Sequence, residues 1–174
     1  MPSVTPSDRV DLSVQVGALR LTNPIIAAAG TFGYGVEFAH LVDLNRLGGF
    51  VTKGISREPI EGAPAPRLCE TASGMLNAVG LQNVGVEAFL KDKLPLLRRY
   101  NTHVIVNVFG YCLEEYVEVI RRLEGATGIS AYELNISCPN VKKGGCSSEA
   151  TRVKWTMSWA RRRAWLGRGR CGSS

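Results

Sequence analysis

Four short apolar runs recur along the chain, and segments of helical length separate them. Apolar runs of roughly four to eight residues are typical of strands that are buried on both faces of a parallel sheet. Alternation of such strands with helices predicts an α/β fold. The four runs are IIAAAG (25–30), GGFVTKG (48–54), HVIVNVFG (103–110) and AYELNIS (131–137).

Three segments are predicted to be helical. Residues 113–124 carry apolar side chains at helical spacing, with acidic residues in the first turn and arginines in the last, which suits the helix dipole. Residues 84–100 also predict a helix, with Pro95 as an internal irregularity, and residues 36–47 predict a helix that Gly48 and Gly49 end. The order is therefore βα repeated, with the fourth unit represented by its strand.

Two further segments predict β-hairpins. Residues 12–21 alternate around Gly17. Residues 75–83, MLNAVGLQN, form an apolar hairpin-like segment that contains Gly80 and is bracketed by Asn77 and Asn83. A loop rich in proline, glycine and charge, residues 55–74, leads into it. Asparagine and glycine are also ordinary turn formers, so the second hairpin alone does not indicate a site.

Polar residues stand at the same place in each predicted strand. Thr31, Lys53, Asn107 and Asn135 each mark the carboxyl end of one apolar run. In a TIM (β/α)8 barrel this face carries the active site. Each residue alone is explained as a solvated strand end, but four strands that end alike favour a site. We therefore predict a fold of the TIM-barrel family, with about four βα units present.

The segment ELNISCPNVKKGG carries the chemistry. Pro139 cannot continue a strand ladder, so Cys138 is predicted to lie in a turn at the strand tip, between the amides of Asn135 and Asn140. Amides fix a planar polar ligand because they donate and accept hydrogen bonds at once. A thiol can remove a proton from a weakly acidic carbon. The alternative is a buried structural cysteine, the usual state of a free cysteine.

The charge of the chain is unevenly distributed. Residues 1–145 hold 14 basic and 14 acidic residues, whereas residues 146–174 hold seven basic residues and one acid, Glu149. All three tryptophans lie in the second segment. The composition changes at Gly145, so two segments are predicted, 1–145 and 146–174. A basic segment with tryptophans leaves a nucleic-acid binder as an alternative, although no known nucleic-acid-binding motif accompanies it.

Cysteine usage and hydropathy predict the compartment. Five cysteines without a CxxC pair argue against a disulfide framework and against a zinc site. The first residues have neither a basic segment nor an apolar one, and no apolar run is long enough to cross a bilayer. We expect a cytoplasmic protein that binds no metal and no membrane.

Five segments together resemble the class 1 dihydroorotate dehydrogenases, and most closely the NAD-linked 1B catalytic subunits. They are NPIIAAAGTFGYG, FVTKGI, NAVGLQN, VNVFG and ELNISCPNVKKGG. The resemblance runs from about residue 12 to Gly145. It implies a (β/α)8 barrel that binds FMN and oxidises dihydroorotate to orotate in pyrimidine biosynthesis.

The resemblance also implies a role for particular residues. Cys138 would be the catalytic base that removes a proton from dihydroorotate. The substrate would be held by Lys53, Asn77, Val79, Gly80, Leu81, Asn135 and Asn140. FMN would be lined by Thr31, Lys53, Gly54, Asn107 and Asn135. The family further implies an iron–sulfur and FAD electron-transfer subunit that uses NAD, a homo-oligomer, and no nucleic-acid partner.

The chain departs from the family after Gly145. Only about four of the eight βα units are recognisable, and residues 146–174 do not resemble the segment that should follow. Back-translation of this tail permits the expected segment in a shifted frame, which predicts an out-of-frame tail. We expect a chain of this kind to be inactive alone and not to retain FMN. The alternative is a non-catalytic half-barrel that assembles with a partner.

Overall fold

The computed structural model describes residues 10–135. Its centre is a four-stranded sheet in which all neighbouring strands are parallel, as the sequence predicted, and an antiparallel hairpin precedes it. In chain order the strands are β1 (Val14–Val16), β2 (Leu19–Leu21), β3 (Ile26–Ala27), β4 (Gly49–Val51), β5 (Leu68–Thr71), β6 (Gly74–Asn77), β7 (His103–Val108) and β8 (Ala131–Leu134).

The parallel sheet has the spatial order β3-β4-β7-β8. Its central strands are well covered, since all three residues of β4 are buried and β7 is buried over most of its length. The apolar run of β3 predicted a strand that is buried on both faces. For this edge strand the prediction is wrong. Ile25 is 60% exposed and Ile26 is 38% exposed. These exposures show that only one face of β3 packs against the core.

One layer of helices covers the sheet. The segment predicted as a helix over residues 84–100 forms three consecutive pieces, α1 (Gly85–Ala88), a π-helical turn (Phe89–Lys93) and α2 (Leu94–Leu97). Pro95 has no N–H group, and its ring would meet the carbonyl four residues earlier in a regular helix. The wider π turn, in which the Leu94 N–H reaches the Phe89 carbonyl, lies immediately before it. The π turn therefore accommodates the proline.

The helix α3 (Leu113–Glu124) has the predicted bounds, and its Tyr116, Val119 and Leu123 are buried. The core lies between this helical layer and the sheet. It is built from aromatic and branched aliphatic side chains, namely Tyr34, Phe50, Ile55, Val86, Phe89, Leu94, Leu97, Val104, Val106, Val108, Tyr116, Val119 and Leu123.

The predicted helix over residues 36–47 is wrong. The structure has two short 3₁₀ helices there, Val36–Phe38 and Leu44–Arg46. The side chain of Asp43 accepts a hydrogen bond from the Asn45 N–H and begins the second helix, which a continuous α-helix would not allow. Leu41 is 71% exposed, so the apolar spacing of this segment does not reflect one buried face.

The predicted hairpin over residues 75–83 is also displaced. The strands β5 and β6 form a hairpin over residues 68–77, inside and after the segment predicted as a loop. Every residue of both strands is exposed. Asn77 therefore ends a hairpin, and Gly80 lies in the loop that follows it. The asparagine and glycine residues that predicted a hairpin turn therefore belong to this loop and not to the tip of a hairpin.

A polar cluster ties the β3–β4 connection to the helical layer. The Lys93 ammonium lies 2.8 Å from a Glu37 carboxylate oxygen, and the other carboxylate oxygen accepts from the Tyr34 N–H at 2.9 Å. The Tyr34 hydroxyl accepts from the Val84 N–H at 3.1 Å, and burial raises the pKa of this tyrosine. These bonds fix the loop that borders the carboxyl end of β3.

The fully buried ring of Phe50 tests this packing. We expect Phe50→Ala to lower the free energy of unfolding by about 3–5 kcal/mol, because the change removes buried surface and leaves a cavity between the sheet and the β3–β4 connection. The matched control is Leu41→Ala, at the 71% exposed side chain, which should change stability by less than about 0.5 kcal/mol. Urea titrations of both variants give the comparison. Equal effects would contradict the described core.

Candidate functional site

An open cleft of about 570 Å³ lies at the carboxyl edge of the parallel sheet. The ends of β3, β4, β7 and β8 form its floor, and the loop after β6 forms one wall. The lining residues are Ala29, Gly30, Lys53, Gly54, Asn77, Ala78, Val79, Gly80, Leu81, Gln82, Asn83, Asn107, Phe109, Glu133, Leu134 and Asn135. The carboxyl ends of parallel strands thus meet in one place, which is where ligands bind in α/β folds.

A local irregularity places Lys53 and Gly54 in this cleft. The Thr52 N–H donates to the Ile105 carbonyl at 2.9 Å, and the next ladder bond runs from the Ile55 N–H to the Asn107 carbonyl at 2.8 Å. The chain after β4 therefore contains one residue more than the facing stretch of β7, as in a β-bulge. The Lys53 N–H turns away from β7 and donates to the Gly33 carbonyl at 2.7 Å.

Gly54 allows the neighbouring asparagine to approach. A Cβ atom at Gly54 would lie 3.0 Å from the Asn107 side-chain oxygen and 3.7 Å from the Phe109 Cβ. The first distance is shorter than ordinary van der Waals contact. A larger residue here would push against the floor of the cleft, so glycine keeps this part of the cleft open.

Asn107 and Glu133 form an oriented pair across β7 and β8. They are register partners, and the Asn107 Nδ2 donates to the Glu133 Oε1. An ionised carboxylate only accepts hydrogen bonds, so the amide nitrogen must face Glu133 and the oxygen must face away. This oxygen is buried and has no hydrogen-bond partner among residues 10–135. A buried acceptor without a partner costs about 1–3 kcal/mol, so this oxygen is available to accept a hydrogen bond from an N–H or O–H group in the cleft.

The loop of residues 77–82 forms the opposite wall and has an unusual backbone. Gly80 has φ of 74° and Leu81 has φ of 57°, both in the left-handed region. At Gly80 a Cβ atom would lie 2.7 Å from the Ala63 backbone nitrogen. The Val79 carbonyl accepts from the Ala63 N–H at 3.0 Å. The loop is therefore packed tightly against residues 62–63.

The structure brings most of the predicted site residues together. Eight of them line the cleft, namely Lys53, Gly54, Asn77, Val79, Gly80, Leu81, Asn107 and Asn135. Thr31 does not line it, and its hydroxyl donates to the Ala28 carbonyl at 3.0 Å. Cys138 and Asn140 lie outside the described residues, as does the predicted change of composition after Gly145. Their roles stay predictions.

Sequence reasoning missed three polar residues of the cleft, Gln82, Asn83 and Glu133. Glu133 could have been found, because it precedes Asn135 by two positions and strand side chains alternate between faces. Asn83 was noted only as the end of a turn-forming segment. Its side-chain contact with Ser56 spans 27 positions of the sequence, which no local pattern shows.

Within residues 10–135 no group of three or more His, Cys, Asp or Glu side chains is placed to hold a metal ion. In the same part of the chain no helix combines the length and the apolar character needed to cross a membrane.

A parallel sheet whose strand ends line one cleft is the architecture of an α/β barrel protein with its site at the carboxyl face. The sequence profile described as dihydroorotate dehydrogenase matches residues 11–158. The chain belongs to this family, whose fold is a TIM barrel.

Curated relatives agree with this assignment. A protein of Geobacter sp. (strain M21) named dihydroorotate dehydrogenase B (NAD(+)), catalytic subunit, is 55% identical over 137 residues, which are 79% of this chain and 45% of the relative. A subunit of the same name from Thermodesulfovibrio yellowstonii is 54% identical over 129 residues, 74% of this chain and 43% of its own length. These names carry the B type that the sequence motifs predicted.

A third relative has a different name. A Solibacter usitatus protein provisionally named dihydroorotate dehydrogenase A (fumarate) is 59% identical over 134 residues, 77% of this chain and 44% of its own length. The chain thus spans less than half the length of the curated relatives it matches.

The orientation of the Asn107 amide is testable. In Glu133→Ala the Asn107 Nδ2 loses its acceptor, so we expect the side-chain N–H protons of Asn107 to exchange with solvent about tenfold faster, as the loss of one charge-assisted hydrogen bond predicts. The control is Glu70→Ala on the exposed strand β5. NMR of the asparagine side-chain amides measures the rate. Unchanged exchange in Glu133→Ala would contradict the described pair.

Proposed function

We propose that this chain contributes to an enzyme that oxidises dihydroorotate to orotate, with FMN as the hydride acceptor, in pyrimidine biosynthesis. The observation that carries the proposal is the cleft lined by Lys53, Asn77, Asn107 and Asn135, in which the buried side-chain oxygen of Asn107 has no hydrogen-bond partner among residues 10–135. The family of the chain supports the same activity.

The residues present fit FMN, the cofactor that the family implies. The unpaired Asn107 oxygen can accept a hydrogen bond from a ring N–H, and Gly54 leaves room beside it. Lys53, Gly54, Asn107 and Asn135, which line the cleft, would hold FMN. Thr31, which does not line it, stays a prediction. FMN, when bound, supplies a two-electron acceptor for the hydride of the substrate.

The remaining polar groups suit a pyrimidine ring that bears a carboxylate. The amides of Asn77, Asn135 and Asn140 can each donate to a ring carbonyl and accept from a ring N–H. The Lys53 ammonium would pair with the carboxylate. The backbone of Val79, Gly80 and Leu81 would lie along the ring, since this loop forms the wall of the cleft.

Cys138 is proposed as the base. In the sequence it follows Leu134, the last residue of β8, by four positions, and the carboxyl end of β8 borders the cleft. The thiolate would take the proton from C5 of dihydroorotate while C6 loses a hydride. The neighbouring amides would orient the ring, so that the proton to be removed faces the sulfur.

Partners are proposed from the names of the relatives. The Geobacter sp. protein is named as an NAD(+)-linked catalytic subunit, which implies a second subunit in that protein. By this likeness we infer an iron–sulfur and FAD subunit that passes electrons to NAD, a homo-oligomer of the catalytic part, and a cytoplasmic location. A nucleic-acid partner and a membrane are not part of the proposal.

A chimera tests the activity without requiring this chain to act alone. Residues 11–145 replace their counterparts in the Geobacter sp. subunit, and the unmodified subunit is the control. We expect a purified chimera that retains FMN and produces orotate from dihydroorotate, measured by ultraviolet absorbance. A folded chimera that retains FMN but leaves dihydroorotate unchanged would overturn the proposed substrate. Loss of FMN from the folded chimera would overturn the cofactor site.

The role of Cys138 is tested in the same chimera. We expect Cys138→Ser to lower kcat by roughly 10²–10⁴-fold near neutral pH, the usual contribution of a general base, because a serine hydroxyl is a much weaker acid than a thiol. FMN should stay bound, as its absorption spectrum will show. The exposed Cys69 provides the matched control, Cys69→Ser, with unchanged turnover. Near-normal turnover by Cys138→Ser at pH 7 would remove this residue from the mechanism.

A further inference from the structure

We propose that Asn83 is a positioning residue that holds the cleft loop, residues 77–82, in the conformation that receives the substrate. The identity of that substrate rests on the proposed function, but the positioning role does not. Asn83 follows the loop directly and is only 6% exposed. A buried asparagine must have its amide satisfied, so its contacts define what it holds.

The Asn83 side-chain oxygen joins two segments. It accepts from the Ser56 N–H at 3.2 Å, from the Ser56 hydroxyl at 2.9 Å and from the Gly85 N–H at 2.9 Å. The Asn83 backbone pairs with Ile60, whose N–H and carbonyl each form a 2.9 Å bond with it. The residue is therefore fixed to the chain after β4 and to the start of α1, both of which border the core.

These contacts determine which way the amide faces. Backbone N–H groups only donate, so the atom near Ser56 and Gly85 must be the oxygen of Asn83. The nitrogen then points the other way and donates to the Leu81 carbonyl at 3.0 Å. A rotated amide would leave two buried N–H groups facing a donor. The hydrogen bond to Leu81 is thus imposed by the scaffold.

Leu81 needs such support. It has φ of 57°, in the left-handed region that residues with a side chain rarely adopt. It lines the cleft, next to Gly80, which packs against residues 62–63 at its other side. A hydrogen bond from Asn83 to the Leu81 carbonyl stabilises this peptide orientation. Without it, the loop can relax to an ordinary backbone conformation and the wall of the cleft changes shape.

The substitution Asn83→Asp distinguishes the role of the amide oxygen from the role of the amide nitrogen. Aspartate has the same shape and keeps an oxygen for Ser56 and Gly85, but its second oxygen cannot donate to Leu81 when the group is ionised. Two acceptors then face each other. When the acid is protonated, its O–H group can donate to the Leu81 carbonyl again. The effect on the loop should therefore reverse as the pH falls, which a simple loss of packing would not do.

Hydrogen–deuterium exchange of the 174-residue chain, read by mass spectrometry, measures the effect. At neutral pH we expect the hydrogen-bonded amides that anchor the loop, those of Ala63, Ala78 and Asn83, to exchange about tenfold faster in Asn83→Asp than in the wild type, because the loop is less firmly held. Exchange in β7 should not change. At acidic pH the ratio to the wild type at the same pH should fall toward one. The control Asn101→Asp makes the same change at an exposed position and should have no effect.

Four results would overturn the proposal. They are unprotected anchor amides in the wild type, unchanged exchange of these amides in Asn83→Asp, an equal loss of protection in β7, and a ratio that does not depend on pH. In a separate arm, orotate is added to the FMN-loaded chimera that carries residues 11–145, where it should slow exchange of the same amides. If orotate has no effect while the variant behaves as expected, Asn83 positions the loop and the substrate assigned under the proposed function is wrong.

Discussion

The pairing of β4 with β7 is the constraint on which the site depends. Both strands run in the same direction at the centre of the sheet, so their carboxyl ends arrive at one edge. The ladder resumes after one extra residue, through the bond from the Ile55 N–H to the Asn107 carbonyl. This interruption is what turns Lys53 and Gly54 into the cleft beside Asn107. A regular continuation of the ladder would have placed alternate side chains on opposite faces of the sheet.

Two side-chain amides at the site have orientations that are fixed by their hydrogen-bond partners. Asn107 faces a carboxylate that only accepts, and Asn83 faces backbone N–H groups that only donate. In each case the partner lies on the scaffold, and the other end of the amide serves the cleft. A ligand therefore meets an acceptor at Asn107 whose direction is already set. Such prior orientation lowers the cost of ordering polar groups when a ligand binds.

Local sequence patterns predicted the parallel strands, the first hairpin and α3, because each shows a continuous apolar run or a regular spacing within its own residues. They failed over residues 36–47, where Asp43 begins a new turn and Leu41 faces solvent. They also placed eight residues in the cleft through the family resemblance and the repeated strand ends. They could not show that the Asn107 oxygen lacks a hydrogen-bond partner within residues 10–135. Nor could they show that the Asn83 oxygen accepts hydrogen bonds from Ser56. Both depend on pairs about 26 or 27 positions apart in the sequence.

The position of β8 at the end of the described sheet has a geometric consequence. On its inner side it pairs with β7, and its outer side carries no other strand within residues 10–135. Any strand that joins this outer side in parallel will bring its own carboxyl end to the rim of the cleft, next to Asn135. Each strand that is added on this side of β8 would therefore extend the binding surface by one strand end.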